Sequence, residues 1–170
     1  MHKYLAQVAF SNYWLKGASL VLTTGDRRFS GKTVLIKGGT SGIGKAIRDD
    51  FHHAGARTLV IARDSKEDLS GTVSTCEIDG IRHFFADIRI RSAMTEIKEW
   101  LGNNDITLDI LIANAGINIR GPMLDLLETE LRDIIDTTLY GPICNLQVFC
   151  PLELLKNGDR GILTGLAPIC

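Results

Sequence analysis

The sequence predicts an α/β fold: a doubly wound parallel sheet of about five strands with helices on both faces. Three observations point there. Short β-rich apolar runs alternate along the chain with segments whose apolar residues recur at helical spacing. A glycine-rich stretch, Gly38-Gly39-Thr40-Ser41-Gly42-Ile43-Gly44, falls between the first such run and the first such helix. No internal repeat or low-complexity segment breaks the order.

Residues 1–30 read as an N-terminal arm. There is no acid before Asp26, and bases stand at Lys3, Lys16, Arg27 and Arg28. The apolar stretches Tyr4–Phe10 and Gly17–Leu22 are too short for a cleavable signal. The domain then runs over 31–170. Lys32–Lys37 is expected as the first strand, carried by Thr33-Val34-Leu35-Ile36. Ile43, Ala46, Ile47, Phe51 and Ala54 mark one face of a helix, and Gly55 stands where a C-cap should. Thr58–Ala62 is the second strand, and the polar segment Arg63–Thr75 follows it. Ile81–Ala86 is the third strand. Ala93, Met94, Ile97, Trp100 and Leu101 define the next helix. Asp109–Ala113 is the fourth strand, Thr129–Leu155 is mostly helical, and Gly161–Thr164 is the fifth strand.

Composition narrows the function classes. The 170 residues carry 19 Lys+Arg against 20 Asp+Glu, a net charge of -1, which disfavours nucleic-acid or anionic-membrane binding. With 45% hydrophobic and 23% charged residues the chain has the profile of a folded globular protein. No apolar run reaches the ~18 residues of a bilayer-spanning helix. Cys76, Cys144, Cys150 and Cys170 show no metal-ligand or CxxC spacing, so a reduced, cytoplasmic protein is expected.

The glycine stretch carries the chemistry. A tight strand-to-helix turn needs residues without a Cβ, so that backbone can approach a ligand. The helix that follows offers free N–H groups and partial positive charge to an anion, typically a pyrophosphate. No Gly-Lys-Ser/Thr follows, so this is not a P-loop. The spacing is GxxxGxG.

With the rest of the chain that loop resembles the short-chain dehydrogenase/reductase family. Gly38, Gly42, Ile43 and Gly44 fit the family's TGxxxGIG loop. Asp87, after the third strand, fits its adenine-contacting Asp. Asn114-Ala115-Gly116, after the fourth, fits its NNAG motif. The resemblance covers roughly residues 31–167. It implies a Rossmann-like domain holding a nicotinamide dinucleotide through Gly38, Thr40, Ser41, Gly42, Ile43, Gly44, Asp87, Asn114, Ala115 and Gly116. It also implies a small alcohol or carbonyl as substrate. Charge suggests which dinucleotide. An acid ending the second strand would hold the ribose 2′-OH of NAD; here Ala62 stands there and Arg63 follows, a cation suited to the 2′-phosphate of NADP. NADP is expected over NAD.

Departures from the family pattern are informative. Lys37 replaces the opening Thr; it could reach cofactor phosphates or disturb the turn. Ala113 replaces the first Asn of NNAG. The family's catalytic group is Asn, Ser, Tyr and Lys. Thr138 stands in the place of the Asn, with Pro142 soon after, which should kink the helix. Ala167 aligns with the Ser, and Thr164 is the nearest hydroxyl. No tyrosine is followed by Lys four residues on, and the chain stops at Cys170 before such a segment is due. The expectation is a C-terminally truncated member that keeps the cofactor half, has no catalytic residue of its own, and does not turn over normally. The alternative is a non-catalytic dinucleotide-binding or scaffold protein.

Truncation should also leave Ile143, Leu146, Val148, Phe149, Leu152, Leu154 and Leu155 short of partners, and the fifth strand as an open edge. A homo-oligomer or an aggregation-prone chain is expected. Asp49, Asp50, His52 and His53 read as a solvated helix face with no metal. His83, Trp14 and Trp100 read as structural. The charges from Asp125 to Asp133 read as a wet helix start.

Overall fold

The computed structural model describes residues 27–63, 73–117, 119 and 121–150, together with the backbone of 163–165. Expectations that fall on Trp14, Leu152, Leu154, Leu155 and Ala167 lie outside the described residues, as do most of the arm and the chain's last five positions.

Six strands form one sheet: β1 (Thr33–Lys37), β2 (Arg57–Ala62), β3 (Ser74–Ile78), β4 (Ile81–Phe85), β5 (Ile110–Ala113) and β6 (Leu163–Gly165). Their order is β3-β4-β2-β1-β5-β6. β1 lies centrally, with Leu35 opposite Leu59 and Leu111, and Ile36 opposite Val60 and Ile112. The strands expected from sequence are the parallel ones, and β1, β2 and β5 read as largely apolar runs because both of their faces are buried.

β3 is the departure. It pairs antiparallel with β4 at the sheet edge, inside the segment expected to be polar loop up to Thr75. Four of its five residues are exposed, so no apolar run marks it. The turn Asp79-Gly80, with φ of 52° and 75°, joins the two strands as a two-residue hairpin.

Helices cover both faces. α1 (Gly42–His53) packs Ile47 and Phe51 on Val34, Ile36, Ile110 and Ile112. Its expected face is corrected in part: Ile43 and Ala46 are exposed, and Gly44 takes the buried position in the first turn. The helix starts at Gly42, so a 3.6-residue period running back from Phe51 through Ile47 reaches Gly44 and places Ile43 off the buried stripe. It ends in paired hydrogen bonds, Gly55 N–H to the His52 carbonyl and Ala56 N–H to that of Phe51, the Schellman arrangement. Phe29 packs edge-on against Phe51 at 4.7 Å, so the packed unit includes the stretch just before Gly31.

On the opposite face α2 (Arg91–Asn103) buries Ala93, Met94, Ile97 and Leu101 against Leu35, Leu59, Phe84 and Leu111. Trp100 meets Phe84 edge-on at 5.1 Å, a packing contact.

The long helical segment is broken into α3 (Glu128–Ile135), a π-helical turn (Asp136–Tyr140) and α4 (Gly141–Phe149). Pro142 has no N–H and its ring would meet the carbonyl four residues back, so the turn before it widens. The Glu130 carboxylate accepts the Leu127 N–H at the start of α3. Val148 and Phe149 keep their partners in the core, contrary to expectation. Ile143 is exposed as expected, and it continues a series spaced by four, Leu127, Leu131, Ile135 and Leu139, all exposed.

Candidate functional site

A cleft of about 520 Å³ opens at the C-terminal ends of the parallel strands. Gly38, Thr40 and Ser41 from the β1–α1 turn line it. So do Ile61, Ala62 and Arg63 ending β2, Ala86, Asp87 and Ile88 after β4, and Asn114, Ala115, Gly116 and Ile117 after β5. Thr137 of the π turn closes one side. The cleft lies beside β1, whose neighbours β2 and β5 are reached in opposite directions, which is where open α/β sheets hold ligands.

Close backbone approach builds the wall. Gly38 has φ 72°, and a Cβ there would stand 2.9 Å from the Ala115 Cα. Its N–H donates to the Ile61 carbonyl at 2.8 Å. A Cβ on Gly44 would collide with the Gly38 carbonyl oxygen and the Asn114 amide. Asn114 Nδ2 donates to that same carbonyl at 3.2 Å, tying the β5 loop to the glycine turn. Ser41 is the N-cap of α1 but its hydroxyl does not cap the helix, so the first-turn N–H groups keep no side-chain acceptor there.

Charge in the cleft comes from Arg63 and Asp87. Burial alone would raise the Asp87 carboxyl, but hydrogen bonds from the Arg89 side chain and backbone outweigh it, with help from the Arg63 charge. Asp87 is therefore held below the usual carboxylate range.

Most of the residues expected to bind are brought together here: Gly38, Thr40, Ser41, Arg63, Asp87, Asn114, Ala115 and Gly116 all line the cleft. Gly42, Ile43 and Gly44 shape the first turn of α1 and are not on its wall. Sequence reasoning singled out Thr138, yet Thr137 faces the cleft. Both residues lie in the π turn, whose presence apolar spacing does not reveal.

Lys37 is corrected too. It does not reach the cleft; it is fully buried, and its Nζ has no hydrogen-bond partner among the described residues. Burial lowers its pKa to about 8, partly countered by Cys150. Asp49 accepts from Lys45 and Arg48, a solvated ion-pair cluster on α1. No group of three or more potential metal ligands occurs among the described residues. No described helix is long and apolar enough to cross a membrane.

The fold and the glycine turn at its switch point define a Rossmann-type α/β protein. A family model described as short chain dehydrogenase matches residues 32–163. The chain belongs to the short-chain dehydrogenase/reductase family. It is 33% identical over 138 residues to dehydrogenase/reductase SDR family member 7B of Xenopus tropicalis, covering 73% of this chain and 42% of that protein. Xanthoxin dehydrogenase of Arabidopsis thaliana is 36% identical over 96 residues, covering 54% of this chain and 33% of that one. A short chain dehydrogenase of Leptospira borgpetersenii, solved with bound NAD+, superposes with a TM-score of 0.66 at 27% identity, over 79% of this chain and 50% of that one. The chain thus spans about half the length of such relatives, or less.

Proposed function

We propose that the chain is the cofactor-binding part of an NADP-dependent oxidoreductase of this family, which moves hydride between a small alcohol or carbonyl and the nicotinamide. Residues 31–170 form its dinucleotide-binding domain, preceded by the arm 1–30. Arg63 on the cleft wall carries the reading, with Ala62 where an acid would hold the ribose of NAD.

The wall suits such a ligand. The first turn of α1 and the backbone of Gly38, Thr40 and Ser41 would hold the pyrophosphate. Asp87 would accept from the adenine amine, and Arg63 would pair with the 2′-phosphate. Asn114 fixes the turn through the Gly38 carbonyl, and Ala115 and Gly116 continue that wall. The nicotinamide supplies or accepts hydride when bound. Every step beyond binding falls to residues that must protonate the carbonyl and orient it.

The described wall does not supply them. Its charged groups are Arg63 and an Asp87 held ionised by Arg89, and no tyrosine, histidine or lysine lies on the described wall. That observation favours a second reading, a non-catalytic dinucleotide-binding or scaffold protein. The free thiols of Cys76, Cys144 and Cys150 suit the reducing cytoplasm, and the exposed apolar stripe suits a homo-oligomer.

Titration with NADPH and NADH tests the first reading. Tighter NADPH binding, narrowed by Arg63→Ala, is expected. Tighter NADH binding overturns the NADP assignment. Binding of neither leaves the scaffold. NADPH binding without oxidation by a panel of aldehydes and ketones supports the non-catalytic reading.

A further inference from the structure

β3 ends the sheet. It pairs with β4 on one side and with no strand on the other. Ser74, Thr75, Glu77 and Ile78 are exposed, and Cys76 between them is a partly exposed free thiol.

The hairpin fixes which backbone groups face outward. In a two-residue hairpin the residues flanking the turn, here Ile78 and Ile81, exchange both main-chain hydrogen bonds. Bonded and unbonded pairs then alternate, so Cys76 with His83 and Ser74 with Phe85 are bonded in turn. The N–H and C=O of Thr75 and Glu77 therefore turn away from β4, toward the open side of the sheet. Exposed edges are commonly blunted by proline, lysine or a bulge. β3 has none of these. Its register with β4 is unbroken, and its single charge, Glu77, is already answered by Arg82 at 3.0 Å.

The strand is also complementary to itself. Laid antiparallel on a second copy about a two-fold axis through Cys76, it sets Thr75 opposite Glu77 and Glu77 opposite Thr75. Those pairs exchange about four main-chain hydrogen bonds. On each side of the axis the Thr75 hydroxyl, a donor, meets the Glu77 carboxylate, an acceptor. Cys76 meets Cys76 as an unbonded pair, whose Cα atoms lie about 4.5 Å apart, within the range of a disulfide. Other registers are poorer. One centred on Glu77 sets two carboxylates face to face, and one centred on Thr75 leaves each Glu77 opposite Val73, which has no side-chain donor.

We propose that β3 is the docking edge for a second copy of this chain, whose own β3 continues the sheet antiparallel with the two Cys76 thiols meeting on the axis. The contact involves no residue of the cleft and none of the exposed stripe on α3, so it does not depend on what the cleft binds.

The test uses the full chain carrying Leu131→Lys and Ile135→Lys, so that the α3 stripe does not contribute. Sedimentation is expected to show a monomer–dimer equilibrium. Diamide, an azo oxidant, is expected to lock the dimer: each of two Cys76 thiols gives up a hydrogen, the S–S bond forms, and the azo group is reduced to the hydrazide. Peptide mapping without reduction should find Cys76 joined to Cys76. Thr75→Pro removes an outward N–H that β4 does not use, so the hairpin keeps its own bonds. It is expected to weaken the dimer by roughly ten- to hundredfold, with an unchanged circular dichroism spectrum. If that variant fails to fold, Thr75→Glu, which opposes carboxylates in both pairs, is expected to weaken the dimer comparably. Cys76→Ser should abolish the cross-link and leave the reduced dimer intact. A monomer at every concentration, a cross-link only through Cys144, Cys150 or Cys170, or an unchanged dimer in a folded Thr75 variant overturns the inference.

Discussion

The side-chain amide of Asn114 donates to the carbonyl of Gly38 across 76 positions of sequence. This one bond joins the loops on the two sides of the switch point. Asn114→Ala is expected to cost about 1 kcal/mol of stability and to weaken dinucleotide binding. Gly44→Ala should do more harm, because its methyl would meet both partners of that bond. A loss of about 2 kcal/mol or more is expected, and urea melts of the two variants give the comparison.

Lys37 sets an alkaline signature. Its folded pKa of about 8 lies below the ordinary lysine value of 10.5. Below pH 8 the folded state pays to keep the amine charged, a penalty of about 3 kcal/mol. As pH rises through 8 the folded state sheds the proton first, so stability increases. Burial pushes the Cys150 thiol up, so its titration opposes this gain above the usual thiol range. Lys37→Met should raise stability at pH 7 and remove the gain beginning near pH 8. Denaturant melts at pH 7, 8 and 9 check it; a variant less stable than the parent at pH 7 counts against the account.

His83 sets an acid signature. It is buried with neither ring nitrogen hydrogen-bonded among the described residues. Burial first, and then the Arg48 charge, hold its pKa below 6.5, against a smaller opposing effect of Asp79. The unfolded chain therefore takes up the proton first, and stability falls as pH drops below 6.5. His83→Phe, which matches the neighbouring Phe85 stack, should flatten that limb. Thermal melts between pH 5 and 7 report it.

Association should follow the exposed stripe. Leu131 and Ile135 are 41% and 45% exposed on α3, in line with Leu127, Leu139 and Ile143. Light scattering is expected to show a concentration-dependent species larger than the monomer. The double variant Leu131→Lys, Ile135→Lys should shift it toward the monomer. A monodisperse monomer of the unaltered chain at high concentration would contradict this.

The buried strands were legible because two-sided burial writes itself as an uninterrupted apolar run, as in Val34-Leu35-Ile36 and Leu111-Ile112. The cleft followed from the glycine turn and the polar residues after β4 and β5. β3 left no such trace, although Asp79-Gly80 between Ile78 and Ile81 is a strong hairpin signal that spacing arguments passed over. The π turn was invisible for another reason: apolar residues four apart, Leu131 through Ile143, are preserved across it. The ion pair of Arg89 with Asp133 joins residues 44 apart in the chain, and a pair of that kind has no local pattern at all.

β1 pairs on one side with β2, a near neighbour in the chain, and on the other with β5, which arrives much later. The half of the cleft bounded by the glycine turn, β2 and β4 can thus assemble from local contacts. The other half waits for a long loop to close, an entropic cost paid before the pairing of Val34 with Ile110 returns anything. In time, then, the site is made in two instalments, and refolding followed by a probe near Asn114 should lag behind one placed on α1.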